Sequence, residues 1–149
     1  MNLFAKSPLL ILAIASCLVV GCGAPTVENS PAVYENNALS EVRDMYELYT
    51  QTKHKAPRGP RDFEAMFSDG NPTGVAAIKQ GNVVVIWDVK LNEDRDADSA
   101  DEVLAFVSDV PENGGFVLMK NRSIKKMTPE EFNAAPKAGE IEEPKAKAG

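Results

Sequence analysis

Residues 83–87 read Val-Val-Val-Ile-Trp, and this stretch decides the fold class of the chain. Four successive β-branched residues followed by an aromatic residue favour a strand over a helix. Because side chains along a strand alternate between its two faces, a run that is apolar at every position has no face for water. The run therefore predicts a central strand within residues 82–91, covered by helix on at least one side.

Three shorter strands are predicted towards the C-terminus. Their apolar segments are 102–108, 116–119 and 124–127. Residues 111–115 contain proline and glycine and predict a turn, and Asn121-Arg122 predicts a two-residue hairpin turn between the last two strands. The sequence thus predicts a small antiparallel sheet of three or four strands.

Helices are predicted before and after these strands. Over 36–52 the apolar residues recur at spacings of three and four, which is typical of an amphipathic helix. These residues are Leu39, Val42, Met45, Tyr46 and Tyr49. A short second helix is predicted over 60–67, because it opens with a proline. Thr128 predicts a last short helix, since it can cap the chain before Pro129 while Glu131 completes a capping box.

The expected fold class is α+β, with two N-terminal helices packed on the antiparallel sheet and a short C-terminal helix after it. These elements form a single domain over residues 36–134. Residues 135–149 contain one large apolar side chain, Ile141. Such a segment buries too little apolar surface to offset the entropy of ordering it, so the sequence predicts a disordered tail.

The first 22 residues have the organisation of an export signal. Lys6 precedes the almost entirely apolar run 9–20. Twelve residues suit a signal peptide, whereas a membrane-spanning helix needs about 20. The run ends in Val19-Val20-Gly21-Cys22, which resembles a bacterial lipobox with two valines in place of its more usual residues. An ordinary secretory signal cut near Ala24 and an uncleaved N-terminal anchor are the alternatives.

The lipobox resemblance implies cleavage between Gly21 and Cys22 and acylation of the Cys22 thiol, with the lipid bilayer as a partner. Residues 1–21 are then a signal peptide. Residues 22–35, with two prolines and no periodicity, are a lipidated flexible tether. Gly23 rather than Asp follows the cysteine, which by the enteric sorting rule predicts an outer-membrane anchor facing the periplasm.

Composition excludes several classes of function. The chain has 16 Lys and Arg against 22 Asp and Glu, a formal net charge of -6, whereas a nucleic-acid binder needs a basic face. One His and two Cys are too few for a zinc cluster or a disulfide scaffold. No nucleophile-elbow, phosphate-loop or zinc-protease motif occurs. The sequence therefore predicts no catalytic residues, no cofactor and no metal site.

A cation-rich segment, 53–61, predicts a loop with possible surface contacts. Its candidate contact residues are His54, Lys55, Arg58 and Arg61. A solvated loop, a contact with anionic lipid headgroups or an acidic wall polymer, and a general base at His54 are the alternatives. No nucleophile lies near His54 in the sequence, so the last alternative is the least expected.

An acid-rich segment, 93–102, is the other charged candidate. Its alternating carboxylates at 94, 96 and 98 resemble a calcium loop. Ser99 and Ala105, however, stand where that loop needs Gly and Glu. A solvated loop between two strands is expected, and weak calcium binding is left open.

Several segments of the domain resemble small lipoproteins from planctomycete-type bacteria and, less closely, the C-terminal heads of prepilin-like proteins from the same lineages. The resembling segments are Tyr49 with 54–57, 83–87, 103–106, 114–119, 124–128 and 131–132. The hairpin turn departs from this pattern, which usually has Asp-Gly where Asn121-Arg122 stands. The resemblance implies an α+β fold and an envelope location, and it brings no catalytic residues.

These observations predict an envelope lipoprotein whose domain binds or scaffolds another envelope protein. A module that binds cell wall or a small ligand through the cations of 53–61 and Trp87 is the alternative. Trp87 in a strand is also explained as a core residue. An enzyme is the least expected class.

Overall fold

The computed structural model describes residues 30–67, 72–91 and 101–141. Over these residues the chain forms one antiparallel sheet whose four strands lie side by side in sequence order. The strands are β1 (Val83–Val85), β2 (Val103–Val107), β3 (Gly115–Met119) and β4 (Ile124–Met127). The predicted α+β fold with a small antiparallel sheet is confirmed.

The same ranges contain five helices. They are α1 (Pro31–Lys53), α2 (Pro60–Phe67), α3 (Pro72–Gln80), α4 (Val110–Asn113) and α5 (Pro129–Ala134). The predicted capping box of α5 is present: the Thr128 hydroxyl accepts a hydrogen bond from the Glu131 N–H at 3.2 Å, and the Glu131 carboxylate accepts one from the Thr128 N–H at 2.8 Å.

Strand β1 lies at the edge of the sheet, so the prediction of a central strand at 83–87 is wrong. The central strands are β2 and β3, and all five residues of β2 are buried. The Ile86 N–H still donates to the Leu104 carbonyl of β2 at 2.8 Å, and the chain then leaves the ladder. Ile86, Val89 and Leu91 nevertheless remain buried. The continuous apolar run therefore reflects an extended segment inside the core, rather than a strand paired on both sides.

Helices cover both faces of the sheet. Helix α1 packs on β2 and β3, and its first turns lie close to Lys126 on β4. Phe132 of α5 contacts Phe106 of β2 with ring centroids 4.7 Å apart. In the ladder, Lys126 pairs with Phe116. Phe106 pairs with Val117. Phe116 and Val117 are successive residues of β3, so they and their partners point to opposite faces of the sheet. Helices α1 and α5 consequently lie on opposite sides of the sheet.

Helix α1 begins five residues before the predicted start at Asn36. Ser30 caps it, because its hydroxyl accepts a hydrogen bond from the Val33 N–H at 3.4 Å, and Pro31 takes the first helical position. Residues 31–35 therefore belong to the domain, and the tether predicted over 22–35 is wrong at its C-terminal end.

Helix α3 was not predicted, and it follows residues 68–71, which the structure does not describe. Its segment lacks a strong apolar period, and Gly74 is a poor helix former. Gly74 permits close packing on α1, because a Cβ there would lie 2.9 Å from Met45 Cε. The turn predicted over 111–115 contains the single helical turn α4, which ends at Gly114 with φ of 70°.

The hairpin between β3 and β4 has a three-residue loop, so the predicted two-residue turn is wrong. The Met119 N–H donates to the Ser123 carbonyl at 2.8 Å, and Lys120, Asn121 and Arg122 lie between them. Only Arg122 has a positive φ, 71°, in this loop. A two-residue type I′ turn needs positive φ at both central residues, which Asn121-Arg122 does not provide.

The segment after α5 is ordered as far as residue 141, so the predicted disordered tail does not start at 135. The Val103 N–H donates to the Pro136 carbonyl at 2.9 Å, and the Ala138 N–H donates to the Val103 carbonyl at 3.0 Å. The Lys137 ammonium lies 4.2 Å from the centroid of the Phe132 ring. Residues 136–138 thus take the place beside β2 that β1 has left. The remaining tail residues, 142–149, lie outside the described part.

Candidate functional site

The predicted export and anchoring residues lie outside the described residues. This holds for the signal peptide, for the cleavage site at Gly21 and for Cys22. Within 30–67, 72–91 and 101–141, no helix has the length and apolar character needed to cross a bilayer. The position of Ser30 is nevertheless informative, because it fixes where the preceding chain joins the domain.

Helix α1 separates the entry point of the chain from the cation-rich segment. It contains 23 residues, which corresponds to about 34 Å of helix. Ser30 caps its N-terminus, and His54 follows its C-terminus. The candidate contact residues at 54–61 therefore follow the end of α1 that is opposite Ser30.

The predicted loop 53–61 is shorter in the structure, because Lys53 ends α1 and Pro60 and Arg61 begin α2. The whole segment 53–61, still called here the basic loop, is held to the domain by hydrogen bonds of its backbone. His54 ends α1 in the left-handed conformation with φ of 54°, and its N–H donates to the Thr50 carbonyl at 2.9 Å. The buried Pro57 accepts a hydrogen bond at its carbonyl from the Asp88 N–H at 2.8 Å. The Arg58 N–H donates to Asp62 Oδ2 at 2.8 Å. The loop is fixed at three points, so its side chains project from a defined backbone.

The cations of the basic loop project into water. Lys53, His54, Lys55, Arg58 and Arg61 are all exposed. Across the described ranges, none of these five forms an ion pair within 4.0 Å, whereas Lys79, Lys120 and Lys125 each pair with a carboxylate. The structure thus places all four predicted contact residues on one segment, and it leaves the charges of Lys55, Arg58 and Arg61 available to an anion.

Trp87 supports the loop from the core. It is half-buried, and its ring meets the Phe63 ring edge-on with centroids 5.2 Å apart. Phe63 in turn contacts Tyr46 and Phe67 with centroids 6.0 Å apart in both pairs. These contacts agree with a core role for Trp87, because a stacking platform for a ligand needs an open ring face.

Tyr46 fixes the extended segment that follows β1. Its hydroxyl donates to the Val89 carbonyl at 2.8 Å and accepts from the Val89 N–H at 3.0 Å. Burial raises the pKa of Tyr46 well above its usual range, partly opposed by the hydrogen bond with Val89. The sequence predicted Tyr46 as a core residue of α1 and gave no sign of this pairing, which joins residues 43 positions apart.

A shallow groove of about 630 Å³ lies at the opposite end of α1. Its lining residues come mainly from the first half of α1, joined by Thr73: Ser30, Pro31, Val33, Tyr34, Asn37, Ser40, Glu41, Asp44 and Thr73. Glu41 Oε2 accepts a hydrogen bond from the Gly74 N–H at 2.7 Å. The groove could not be predicted, because α3 supplies one wall and was not predicted itself.

The acidic segment 93–102 lies mostly outside the described residues. At its end, Asp101 Oδ1 lies 3.3 Å from Lys125 Nζ and Glu102 Oε2 lies 2.9 Å from Lys120 Nζ. Both carboxylates are thus engaged by lysines of the β3–β4 hairpin. No group of three or more His, Cys, Asp or Glu side chains suited to a metal occurs in the part of the chain that the structure describes.

Comparisons with protein families, with curated proteins and with solved structures returned no match to this chain. The resemblance to planctomycete-type lipoproteins therefore stays a prediction, and the basic loop stands as the candidate site on its geometry and charge alone.

Proposed function

We propose that this chain is a lipid-anchored protein of the bacterial cell envelope whose α+β domain binds or scaffolds another envelope protein. The observation that carries the proposal is Val19-Val20-Gly21-Cys22 directly after the apolar run 9–20. Acyl chains on Cys22 would bury many methylene groups at about 0.8 kcal/mol each, which suffices for a stable anchor.

The position of the domain relative to Cys22 supports this proposal. Eight residues lead from Cys22 to Ser30, and they span at most about 29 Å when fully extended. A domain on such a short connection is confined near the bilayer, where it meets other membrane-attached proteins at high local concentration. This arrangement suits an adaptor or scaffold. Gly23 after the cysteine favours an outer-membrane location with the domain in the periplasm.

The anchor is tested by metabolic labelling of cells with a clickable fatty acid. The wild-type chain is expected to carry the label, and Cys22→Ala is expected to lose it. Cys17→Ala is the matched control, because Cys17 is the other cysteine and lies inside the predicted signal peptide. Equal labelling of Cys22→Ala and wild type would contradict the anchor.

The protein partner is tested by cross-linking in intact membranes. The anchored wild-type chain is expected to give a discrete cross-linked product of higher mass. A chain that begins at Gly23 behind an ordinary cleavable secretory signal is released from the membrane, so it is expected to lose that product because the local concentration falls. A membrane extract in which the anchored protein gives no discrete product counts against a scaffolding role.

Binding to cell-wall material is a second candidate, and the unpaired cations of the basic loop favour it. Arg58 and Arg61 are exposed on a backbone held by core contacts. Retention of the protein on purified cell wall, lost in the double variant Arg58→Ala and Arg61→Ala, would favour this function over protein scaffolding. Retention that is unchanged in this variant would speak against it.

A further inference from the structure

The domain is electrically polarised along α1. In its first 17 residues, 31–47, α1 carries Glu35, Glu41, Asp44 and Glu47. Burial raises the pKa of Glu35, the nearby Asp109 adds to this effect, and Lys126 opposes it. Arg43 pairs with Asp44 at 2.9 Å and Arg122 pairs with Glu47 at 3.6 Å. Among the described residues, five carboxylates thus face three cations at this end of the domain, which leaves an excess of negative charge. Beyond the helix the sign reverses, because the basic loop presents Lys53, Lys55, Arg58 and Arg61.

This polarity disfavours contact between the basic loop and the bilayer that holds the anchor. For the loop to reach that bilayer, α1 would have to lie along it, since the chain enters at the other end of this helix of about 34 Å. That orientation brings the acidic half of α1, where carboxylates outnumber the cations beside them, against lipid headgroups. Anionic headgroups repel carboxylates at this distance.

The basic loop also lacks the apolar side chains that membrane-inserting loops and protein interfaces use. The large hydrophobic side chains exposed in the described ranges are Val33, Tyr34, Leu48 and Ile141, none of them in the loop. A protein interface normally has an apolar core inside a polar rim. A row of cations without such a core suits a flexible, strongly charged chain better than a folded surface.

Among charged chains, an anionic polysaccharide fits better than a nucleic acid. Single-stranded nucleic acids are bound through exposed aromatic rings that stack on the bases. Near the loop, Trp87 is half-buried against Phe63, and Tyr49, which interacts with Arg58 and Asp62, is buried. Carboxylates or phosphates along a polysaccharide need only exposed cations, and arginine can bind each of them in a bidentate manner.

We propose that the basic loop binds a linear anionic polysaccharide of the cell envelope and faces away from the bilayer that carries the anchor. This inference rests on the proposed function, because the direction of the loop is defined relative to the Cys22 anchor. Binding by exposed charges is weak and strongly screened by salt. The anchor compensates for weak binding by keeping the loop near the polymer, which raises their effective concentration.

The binding test uses the full-length acylated chain in phosphatidylcholine vesicles, with polygalacturonate as the anionic probe and dextran as the uncharged one. We expect polygalacturonate, but not dextran, to associate with the vesicles, and binding to fall at least about tenfold in Arg58→Ala with Arg61→Ala. Lys125→Ala with Lys126→Ala removes two exposed charges from β4 and is expected to change binding less than about twofold. Equal losses in the two double variants, or no binding by the wild type, would overturn the assignment.

The direction of the loop is tested with Trp87, the chain's only tryptophan, which lies beside the loop. In vesicles that contain anionic phosphatidylglycerol and brominated phosphatidylcholine, a loop facing away leaves Trp87 fluorescence unquenched. Quenching that disappears in the double-arginine variant would show that the loop binds the membrane, and it would overturn the proposal. A single-stranded oligonucleotide that binds through Arg58 and Arg61 more tightly than polygalacturonate would overturn it as well.

The two proposals fail in different ways. If fatty-acid labelling is absent but polygalacturonate still binds through the two arginines, the anchor is wrong while the binding surface stands. If labelling depends on Cys22 but the polymer does not bind, the anchor stands and the loop assignment is wrong.

Discussion

The apolar runs 83–87 and 103–107 have similar compositions but different places in the fold. Residues 103–107 form β2, which pairs with a strand on each side and has every residue buried. The other run gives only three residues to β1, which pairs on one side and then leaves the sheet. The segment after β1 is still fixed by hydrogen bonds. The Asp88 N–H donates to the Pro57 carbonyl of the basic loop, and the Val89 carbonyl accepts from the Tyr46 hydroxyl of α1.

The two runs therefore have different roles. Residues 103–107 form the core of the sheet, whereas the segment that continues from 83–87 supports the candidate site. Strand β2 builds the centre of the sheet. The segment after β1 connects α1 and the basic loop, and residues 136–138 take its place beside β2. A change in β2 should therefore act on global stability. A change after β1 should act most strongly on the position of the basic loop.

The largest effect is expected at Phe106 in β2. Phe106→Ala removes a ring that is 3% exposed and contacts Phe132, so it should lower the free energy of unfolding by about 3–5 kcal/mol. Val84, its partner on β1, is half-buried, and Val84→Ala should cost about 1 kcal/mol. Urea unfolding followed by circular dichroism measures both, and equal losses would show that β1 contributes as much to the core as β2.

The next effect is expected at Tyr46, which binds the segment after β1. Tyr46→Phe leaves the buried N–H and carbonyl of Val89 without this partner and should cost about 2–3 kcal/mol. It should also weaken polygalacturonate binding, because Val89 lies next to the residue that holds the basic loop. Tyr49→Phe, from the same helix face, removes a hydroxyl that bonds Asp62 instead of Val89, so it is the control for stability but not for polymer binding. A loss for Tyr49→Phe as large as that for Tyr46→Phe would contradict a specific role for Val89.

Tyr46 also predicts how stability depends on pH. Burial raises its pKa in the folded state, so the neutral phenol contributes full stability below the unfolded tyrosine pKa of about 10. That contribution is lost as the pH rises above about 10, because the unfolded chain then releases the proton more readily. Tyr46→Phe should reduce the alkaline loss without abolishing it, since burial also raises the pKa of Tyr49. Thermal unfolding between pH 8 and pH 11 measures this difference.

Local signals predicted most of the fold. The apolar spacing of α1, the capping box of α5 and the four strand segments along the chain all follow from residues near one another in the sequence. Such signals do not show which strand is central. An edge strand that is buried by the packing of other elements can be as apolar as a strand that pairs on both sides, and β1 and β2 are such a pair. Helix α3 was missed for a related reason: its Gly74 is explained by contact with Met45, which is distant in the sequence.

The candidate site was predicted in part. The sequence identified His54, Lys55, Arg58 and Arg61 as candidate contact residues of a cation-rich loop, although Arg61 lies in the first turn of α2. It could not show that Asp88 holds this loop or that Tyr46 fixes the segment beside it. The contacts of Asp88 with Pro57 and of Tyr46 with Val89 join residues more than 30 positions apart.

A smaller effect is expected for residues 136–138, which lie beside β2 where β1 no longer pairs with it. Deleting 136–149 removes two hydrogen bonds to Val103 and the contact of Lys137 with Phe132. Water can then reach the open edge, so the loss should be about 1–2 kcal/mol rather than the full cost of buried unpaired groups. Deleting only 142–149 is the control and should cost less than about 0.5 kcal/mol. Equal effects of the two deletions in urea unfolding would show that residues 136–141 contribute nothing.

The smallest effect is expected at Asp88, where the chain turns away from the sheet. Asp88 is exposed and adopts φ of 60°, a left-handed conformation that Asp tolerates better than most residues and that Gly adopts freely. Asp88→Ala should therefore cost about 0.5–1 kcal/mol, whereas Asp88→Gly should change stability by less than about 0.5 kcal/mol. Both variants keep the N–H that donates to Pro57. Comparing their thermal unfolding therefore separates the contribution of the backbone conformation to stability from that of the side-chain charge. If Asp88→Gly loses as much stability as Asp88→Ala, the carboxylate rather than the conformation stabilises the turn, and the segment after β1 is held by charge as well as by its backbone.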